Sequence, residues 1–167
     1  MVFPLCFFAL LTGVTAIADS ASDDQYVRDI YDSEADLDEP LYKYSPERSF
    51  NGDGVSLYIF ELPVSLRQRF ENSDSRLMSD FPKRPYYRDD WSAVSWREAP
   101  LSKEHKMYFD FALHASSSHT EELRKSLSRA GTFYSFFHYD HGSHPGNIDF
   151  FIVDLEVGRI YEINVNT

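Results

Sequence analysis

Residues 148–155 constrain the fold most, because this short segment is apolar on both of its faces. Alternate side chains of an extended chain point in opposite directions. One set here is Phe150 and Ile152, and the other is Phe151 and Val153. A strand of this kind is typical of the centre of a sheet. The tripeptide Glu156-Val157-Gly158 then predicts a short hairpin loop, with residues 159–166 as the returning strand.

The rest of the chain mixes strand patterns with helix patterns. The segments that predict strands are residues 55–62, 107–114 and 132–139. The segments that predict helices are residues 23–33; residues 63–70, which begin at Pro63; residues 90–95, capped by Asp90; and residues 118–130, which open with a capping box from Ser118 to Glu121 and end at Gly131. We therefore expect an α+β fold. It is a single small domain over residues 50–167, with about five mostly antiparallel strands and two or three helices packed on one face.

The N-terminus has the features of a signal peptide over residues 1–18. It lacks charged residues, carries an apolar run at residues 5–11 and closes on the small-residue site Ala16-Ile17-Ala18. The run is too short to cross a bilayer, which needs about 20 apolar residues. A buried N-terminal strand or helix is the alternative. We expect a protein that is exported to the periplasm or secreted, with no stable membrane insertion once the peptide is cleaved.

The chain has one cysteine, Cys6, and it lies inside the predicted signal peptide. The mature protein would then contain no disulfide, no thiolate nucleophile and no thiolate metal ligand. Small exported domains often depend on disulfides for stability. Packing must replace them here, and 14 Phe and 11 Tyr supply the large apolar surfaces for it.

Residues 19–49 form an acidic N-terminal arm. Its first 22 residues, 19–40, hold nine acidic residues against the single base Arg28, in a chain of net charge −11. Val27, Ile30 and Tyr31 share one helical face, whereas the charge favours a solvated, disordered tail. We expect the arm to add little to the core. Like charges repel, so nucleic acid and anionic membranes are excluded as partners and a basic protein partner is favoured.

Four potential metal ligands follow one another closely near the end of a predicted strand. They are His138, Asp140, His141 and His144. Alternation aims His138 and Asp140 to the same side if the strand extends that far, and the other two are expected to fold over from a long loop. Imidazole and carboxylate are zinc ligands, but the spacing matches no established site. The alternative is an exposed loop that tolerates polar residues.

Residues 81–96 combine aromatic and basic side chains and predict a binding surface. The candidate residues are Tyr86, Tyr87, Arg88, Trp91 and Trp96. Tyrosine, tryptophan and arginine are the usual anchors of protein interfaces, and aromatic rings also stack on sugars. The alternative is a long loop that folds its aromatic side chains back over the core.

Established catalytic motifs are missing from the sequence. It contains no nucleophile elbow, dinucleotide fingerprint, phosphate-binding loop or H-E-x-x-H helix. The leading hypothesis is an exported, non-enzymatic binding protein that needs no cofactor, for example an inhibitor of a basic protein. The alternative is a metal-dependent hydrolase that uses zinc bound by His138, Asp140, His141 and His144. The sequence leaves open whether the protein is an enzyme.

Overall fold

The computed structural model describes residues 25–35, 37–50, 52–83, 90–114 and 119–167. The predicted signal peptide lies outside these residues. The strands are β1 (Tyr42–Tyr44), β2 (Gly54–Glu61), β3 (Ser92–Glu98), β4 (Thr132–His141), β5 (His144–Asp154) and β6 (Arg159–Asn166). The helices are α1 (residues 25–31), α2 (Val64–Glu71), α3 (Ser75–Asp80), α4 (His105–His114) and α5 (Thr120–Ser126). No helix among the described residues has the length and apolar character that crossing a bilayer requires.

The strands form one antiparallel sheet in the order β1-β2-β6-β5-β4-β3. Strand β5 lies between β6 and β4, in agreement with its apolar character on both faces. The three C-terminal strands form a meander, and β2 pairs with β6 along its whole length, from Gly54↔Asn166 to Glu61↔Arg159. The predicted α+β class and antiparallel sheet are confirmed, with six strands in the described residues where we expected about five.

Helices cover both faces of the sheet, so the expectation of helices on one face is wrong. On the first face, α4 and α5 pack over Phe150 and Ile152 of β5. On the second face, α1, α2 and α3 pack over Phe151 and Val153. The reason lies in β5 itself, because two large apolar sets on opposite faces both need to be removed from water.

Residues 107–114 are helical, although their alternation predicts a strand. The helix α4 buries Phe109, Ala112 and Leu113, which are spaced as neighbours on one helical face, while Met107 is 47% exposed. The Ser102 hydroxyl accepts a hydrogen bond from the His105 N–H at 3.1 Å and so caps the helix. The apolar residues of this segment fit both the two-residue period of a strand and the helical period, and burial of one helical face against the sheet favours the helix.

Residues 92–98 form an edge strand, although the segment 90–95 predicts a helix. Strand β3 pairs with β4, with Val94 opposite Phe136. The Trp96 side chain is 2% exposed, and its indole N–H donates to the Ile30 carbonyl at 3.1 Å. Pairing along β4 and burial of this tryptophan override the local helix signal.

The helix predicted over residues 118–130 is shorter in the structure. It is α5, which ends at Ser126 and buries Leu123. Ser118 lies outside the described residues. Gly131 has φ +75°, as its predicted role as a helix cap required, but it lies in the turn that leads into β4.

Residues 25–31 of the acidic arm belong to the core. Val27, Ile30 and Tyr31 are buried in the cluster that contains α2, α3 and Trp96. The phenol of Tyr31 donates to the Glu162 carboxylate at 2.8 Å, and Tyr26 donates to the same carboxylate at 3.1 Å. The apolar face of α1 therefore decides its placement, and the solvated-tail alternative does not hold for these residues.

Strands β4 and β5 are joined by a tight turn. Only Gly142 and Ser143 separate them, and Gly142 has φ +68°, which glycine adopts without strain. Tyr139 pairs with Asn147 and Asp140 with Pro145, so Gly146 is an extra residue that forms a β-bulge in β5. The long loop expected around the histidines is therefore wrong.

Candidate functional site

The four predicted metal ligands are divided between the two faces of the sheet. His138 and Asp140 share one face, and the His138 Nδ1 lies 3.2 Å from Asp140 Oδ1. His141 follows Asp140 directly and points to the other face, where its ring contacts that of Tyr139. His144 pairs with His141 across the turn. In the described part of the chain, no three His, Cys, Asp or Glu side chains gather as a metal site would require.

Tyr108 of α4 completes the contacts around Asp140. Its phenol donates to Asp140 Oδ2 at 3.2 Å, and its ring centroid lies 4.3 Å from that of His138. Burial raises the pKa of Tyr108, and the negative charge of Asp140 raises it further. The sequence did not point to Tyr108, because a strand at 107–114 would not have brought it over β4.

A second histidine of the same face is held inside the core. The His105 Nδ1 lies 3.0 Å from the phenol oxygen of Tyr134, and the imidazole is buried against Phe136. Burial lowers the pKa of His105, and the positive charge of Arg97 lowers it further. Such a neutral, hydrogen-bonded imidazole supports the packing of α4 on the sheet.

The predicted aromatic-basic surface loses one of its members to the core. Trp96 packs between Tyr31 and Phe70, with ring centroids 5.6 Å and 4.9 Å away. Its placement on a binding surface is therefore wrong, because the strand pattern turns it inward. Trp91 is half-buried, 6.3 Å from the ring of Tyr139. Tyr86, Tyr87 and Arg88 lie outside the described residues, so their role stays a prediction.

A charged cleft of about 670 Å³ opens between α1 and α3. Its lining includes four bases and four acids: Arg28, Arg69, Arg76 and Lys83 with Asp29, Asp32, Glu34 and Asp74. Arg69 forms ion pairs with Asp32 at 2.8 Å and with Asp74 at 3.1 Å, and Arg76 pairs with Asp32 at 3.0 Å. The network binds the end of α1 to α2 and α3, and we assign it to the stability of the arm.

A group of exposed apolar side chains lies at the opposite end of the sheet, beside β1. Leu41 is 61% exposed, Tyr44 is 41% exposed, and Phe50 is fully exposed in the loop that joins β1 to β2. No described strand pairs with the outer side of β1. We call β1 together with Leu41, Tyr44 and Phe50 the β1 edge surface. It combines free strand edge with apolar area, as surfaces that bind a protein do.

Acidic residues lie before and after β1 in the sequence. Four exposed carboxylates flank it in sequence: Asp38 and Glu39 before β1, and Glu47 and Asp53 after it. None of them forms an ion pair within the described residues. The two bases of the region, Lys43 and Arg48, contact groups other than these carboxylates. Lys43 lies over the Tyr58 ring, and Arg48 donates to the Gly52 carbonyl and the Asn164 amide oxygen.

This surface was missed in the sequence, although one signal marks it. Leu41 and Phe50 are large apolar residues within a stretch of acidic, proline, serine and glycine residues that has no buried face of its own. The three-residue strand β1 was too short to show a period.

Comparison with family models, with characterised proteins and with solved structures finds no match for this chain. The proposals below therefore depend on the chemistry of its own residues.

Proposed function

We propose that this protein is an exported, non-enzymatic binding protein that binds a basic partner through the β1 edge surface. The observation that carries the proposal is the exposure of Leu41, Tyr44 and Phe50 beside a strand edge that no described strand pairs with, in a segment whose exposed carboxylates form no ion pair within the described residues. Inhibition of a basic protein is the concrete form of this function that we favour.

The two components of the surface have different effects on binding. Large exposed apolar side chains at the centre of an interface supply most of the binding free energy when a partner covers them. Carboxylates at the rim attract a basic partner from a distance and exclude acidic ones, an effect that salt screens. The net charge of −11 adds to this attraction. The four carboxylates outnumber Lys43 and Arg48, so the region keeps a net negative charge.

The experiment measures binding of short synthetic peptides to the full chain by isothermal titration calorimetry. A peptide that alternates lysine and valine should bind, and a peptide that alternates glutamate and valine should not. The variant Leu41→Ser/Phe50→Ser should weaken binding of the lysine peptide about tenfold or more, since loss of an interface anchor costs about 2 kcal/mol.

The matched control is Val64→Ser/Val157→Ser. These two side chains are also exposed, but they lie on α2 and in the β5–β6 turn and are not part of the β1 edge surface. Binding should be unchanged in this control. Equal loss in both double variants, or equal binding of the two peptides, would contradict the proposal.

A metal-dependent hydrolase is the second candidate, favoured by the contact of His138 and Tyr108 with Asp140. Elemental analysis of the purified full chain tests it. One zinc ion per chain that is lost in His138→Ala and kept in His141→Ala would favour this candidate, because only His138 shares a face with Asp140. A metal-free chain would count against it.

A further inference from the structure

Resting on the proposed function, we infer that the partner binds as an extended strand that pairs with β1 and adds a seventh strand to the sheet. The ligand class is a basic segment in which lysine or arginine alternates with apolar residues. Strand addition requires backbone hydrogen bonds between β1 and the partner, which apolar contact or charge attraction alone would not require.

The backbone of β1 has one side that pairs with β2 and one side that no described strand uses. Each strand of an antiparallel pair directs the N–H and C=O groups of alternate residues toward its neighbour and the remaining ones to its other side. Strand β1 pairs with β2 through Tyr42↔Ile59, Lys43↔Tyr58 and Tyr44↔Leu57. Its other side has no strand among the described residues. The backbone groups on that side are those that an added strand uses.

The other edge strand of the sheet, β3, has neighbours on its outer side. Helix α3 packs against strand β3. The backbone N–H of Trp96 donates to the Phe81 carbonyl at 3.2 Å, and the Ser95 hydroxyl donates to the Ser79 carbonyl at 3.2 Å. Part of the β3 edge is therefore covered, whereas no described strand pairs with the outer side of β1.

The side chains define the chemistry of the added strand. Tyr42 is half-buried against the ring of His119, with centroids 4.4 Å apart, whereas Tyr44 on the same face is exposed. Apolar residues of a partner strand would cover Tyr44 on this face. The carboxylates of Asp38, Glu39 and Glu47 lie just before and after β1 in sequence and would attract the alternate basic residues of the strand.

Charge also argues against the two other occupants of this edge. A second copy of the chain would bring the same carboxylates against each other, and like charges repel. The chain's own segment before α1 carries Asp19, Asp23 and Asp24 and has the same sign. The shortness of β1 and the charge of Lys43 weaken strand pairing with any chain, so a partner strand must also gain from covering the exposed apolar side chains of the β1 edge surface.

The test compares two lysine-valine peptides of the same sequence, one unmodified and one N-methylated at successive residues, so that neither of its edges keeps N–H donors. Methylation removes the N–H donors that a strand needs and keeps the side chains. The unmodified peptide should bind the full chain, and the methylated peptide should bind about tenfold more weakly or not at all. Hydrogen exchange should show added protection, with the unmodified peptide only, of those Tyr42–Tyr44 amides that do not pair with β2.

The outcomes separate the mode of binding from the function. Equal binding of the two peptides, with sensitivity to Leu41→Ser/Phe50→Ser, would overturn strand addition and leave the proposed function standing. Failure of both peptides to bind would overturn the proposed function. A full chain that forms a dimer without peptide, with the same Tyr42–Tyr44 amides already protected, would overturn the inference in favour of a second copy.

Discussion

At the scale of single residues, Asp154 has the most deeply buried carboxylate in the described chain, with a side chain 0% exposed. It forms an ion pair with Arg129 at 2.5 Å and accepts hydrogen bonds from the N–H groups of Glu156 and Val157. Burial alone raises the pKa of Asp154, but Arg129 and the Val157 N–H more than offset it, so the pKa lies below its usual 3.8. The carboxylate thereby fixes the turn between β5 and β6.

We predict that Asp154→Asn lowers the free energy of unfolding by roughly 1.5–3 kcal/mol at neutral pH, the size of hydrogen bonds to a charged group. Because the folded pKa lies below the unfolded value, the stabilisation is complete above pH 3.8 and is lost as the pH falls through the folded pKa. The difference between wild type and variant should therefore shrink in acid. Urea unfolding across this range measures it.

Glu156→Gln is the control for this prediction, because Glu156 pairs with the same Arg129 but is 66% exposed. Exposed ion pairs contribute about 0–1 kcal/mol, so this variant should lie close to wild type. Equal losses in the two variants would show that burial of Asp154 does not matter.

A second prediction compares Phe151→Ala with His141→Ala. Phe151 is 1% exposed at the centre of the sheet, and its loss should cost about 3–5 kcal/mol through lost burial and the cavity left behind. His141 is exposed beside the turn, so its replacement should change stability by less than about 0.5 kcal/mol. Chemical denaturation measures both. A larger loss for His141→Ala would contradict the assigned strand and turn.

The candidate metal ligands show which residue-scale features a sequence can reveal. Alternation along β4 correctly placed His138 and Asp140 on one side. It did not reveal that β4 continues to His141, which sends that ring to the opposite face. The extent of a strand depends on its partner, here β5 as far as His144, and a local pattern does not contain that information.

At the scale of elements, α1 is bound to the rest of the molecule by its apolar face. We predict that Ile30→Ala lowers the free energy of unfolding by about 2–5 kcal/mol, because Ile30 is 0% exposed and packs in the cluster that contains Trp96. Arg28→Ala, on the exposed side of the same helix, should change stability by less than about 0.5 kcal/mol. Thermal unfolding of both variants tests this, and equal melting temperatures would show that α1 is not part of the cooperative unit.

Elements with a strong period of their own were predictable, and elements decided by tertiary contact were not. β2, α2, β4 and β6 lie close to their predicted bounds, and β5 ends as predicted but begins four residues earlier, at His144. The wrong assignments are α4 and β3. In α4, six of the eight residues 107–114 are apolar and so fit both periods, and the face that packs on β5 decides. In β3, the pairing with β4 decides.

At the scale of the whole molecule, export is a prediction from the first 18 residues, which lie outside the described part of the chain. We expect N-terminal sequencing of the exported protein to begin at Asp19 or within a few residues of it, because Ala16-Ile17-Ala18 has the pattern of a cleavage site. A product in the cytoplasm that retains Met1 would contradict this prediction.

The order of the strands sets the order in which the molecule can fold. Strands β4, β5 and β6 follow one another and pair as neighbours, but Tyr58 and its partner Glu162 are 104 positions apart. Strands β1 and β2 pair with each other locally, but β2 joins the rest of the sheet only after β6 has been synthesised, and sheets with such distant pairings fold slowly. The sheet of a growing chain therefore stays incomplete until the last strand has been synthesised. For the exported protein that we propose, this delay keeps the precursor in a form that a narrow translocation pore can accept.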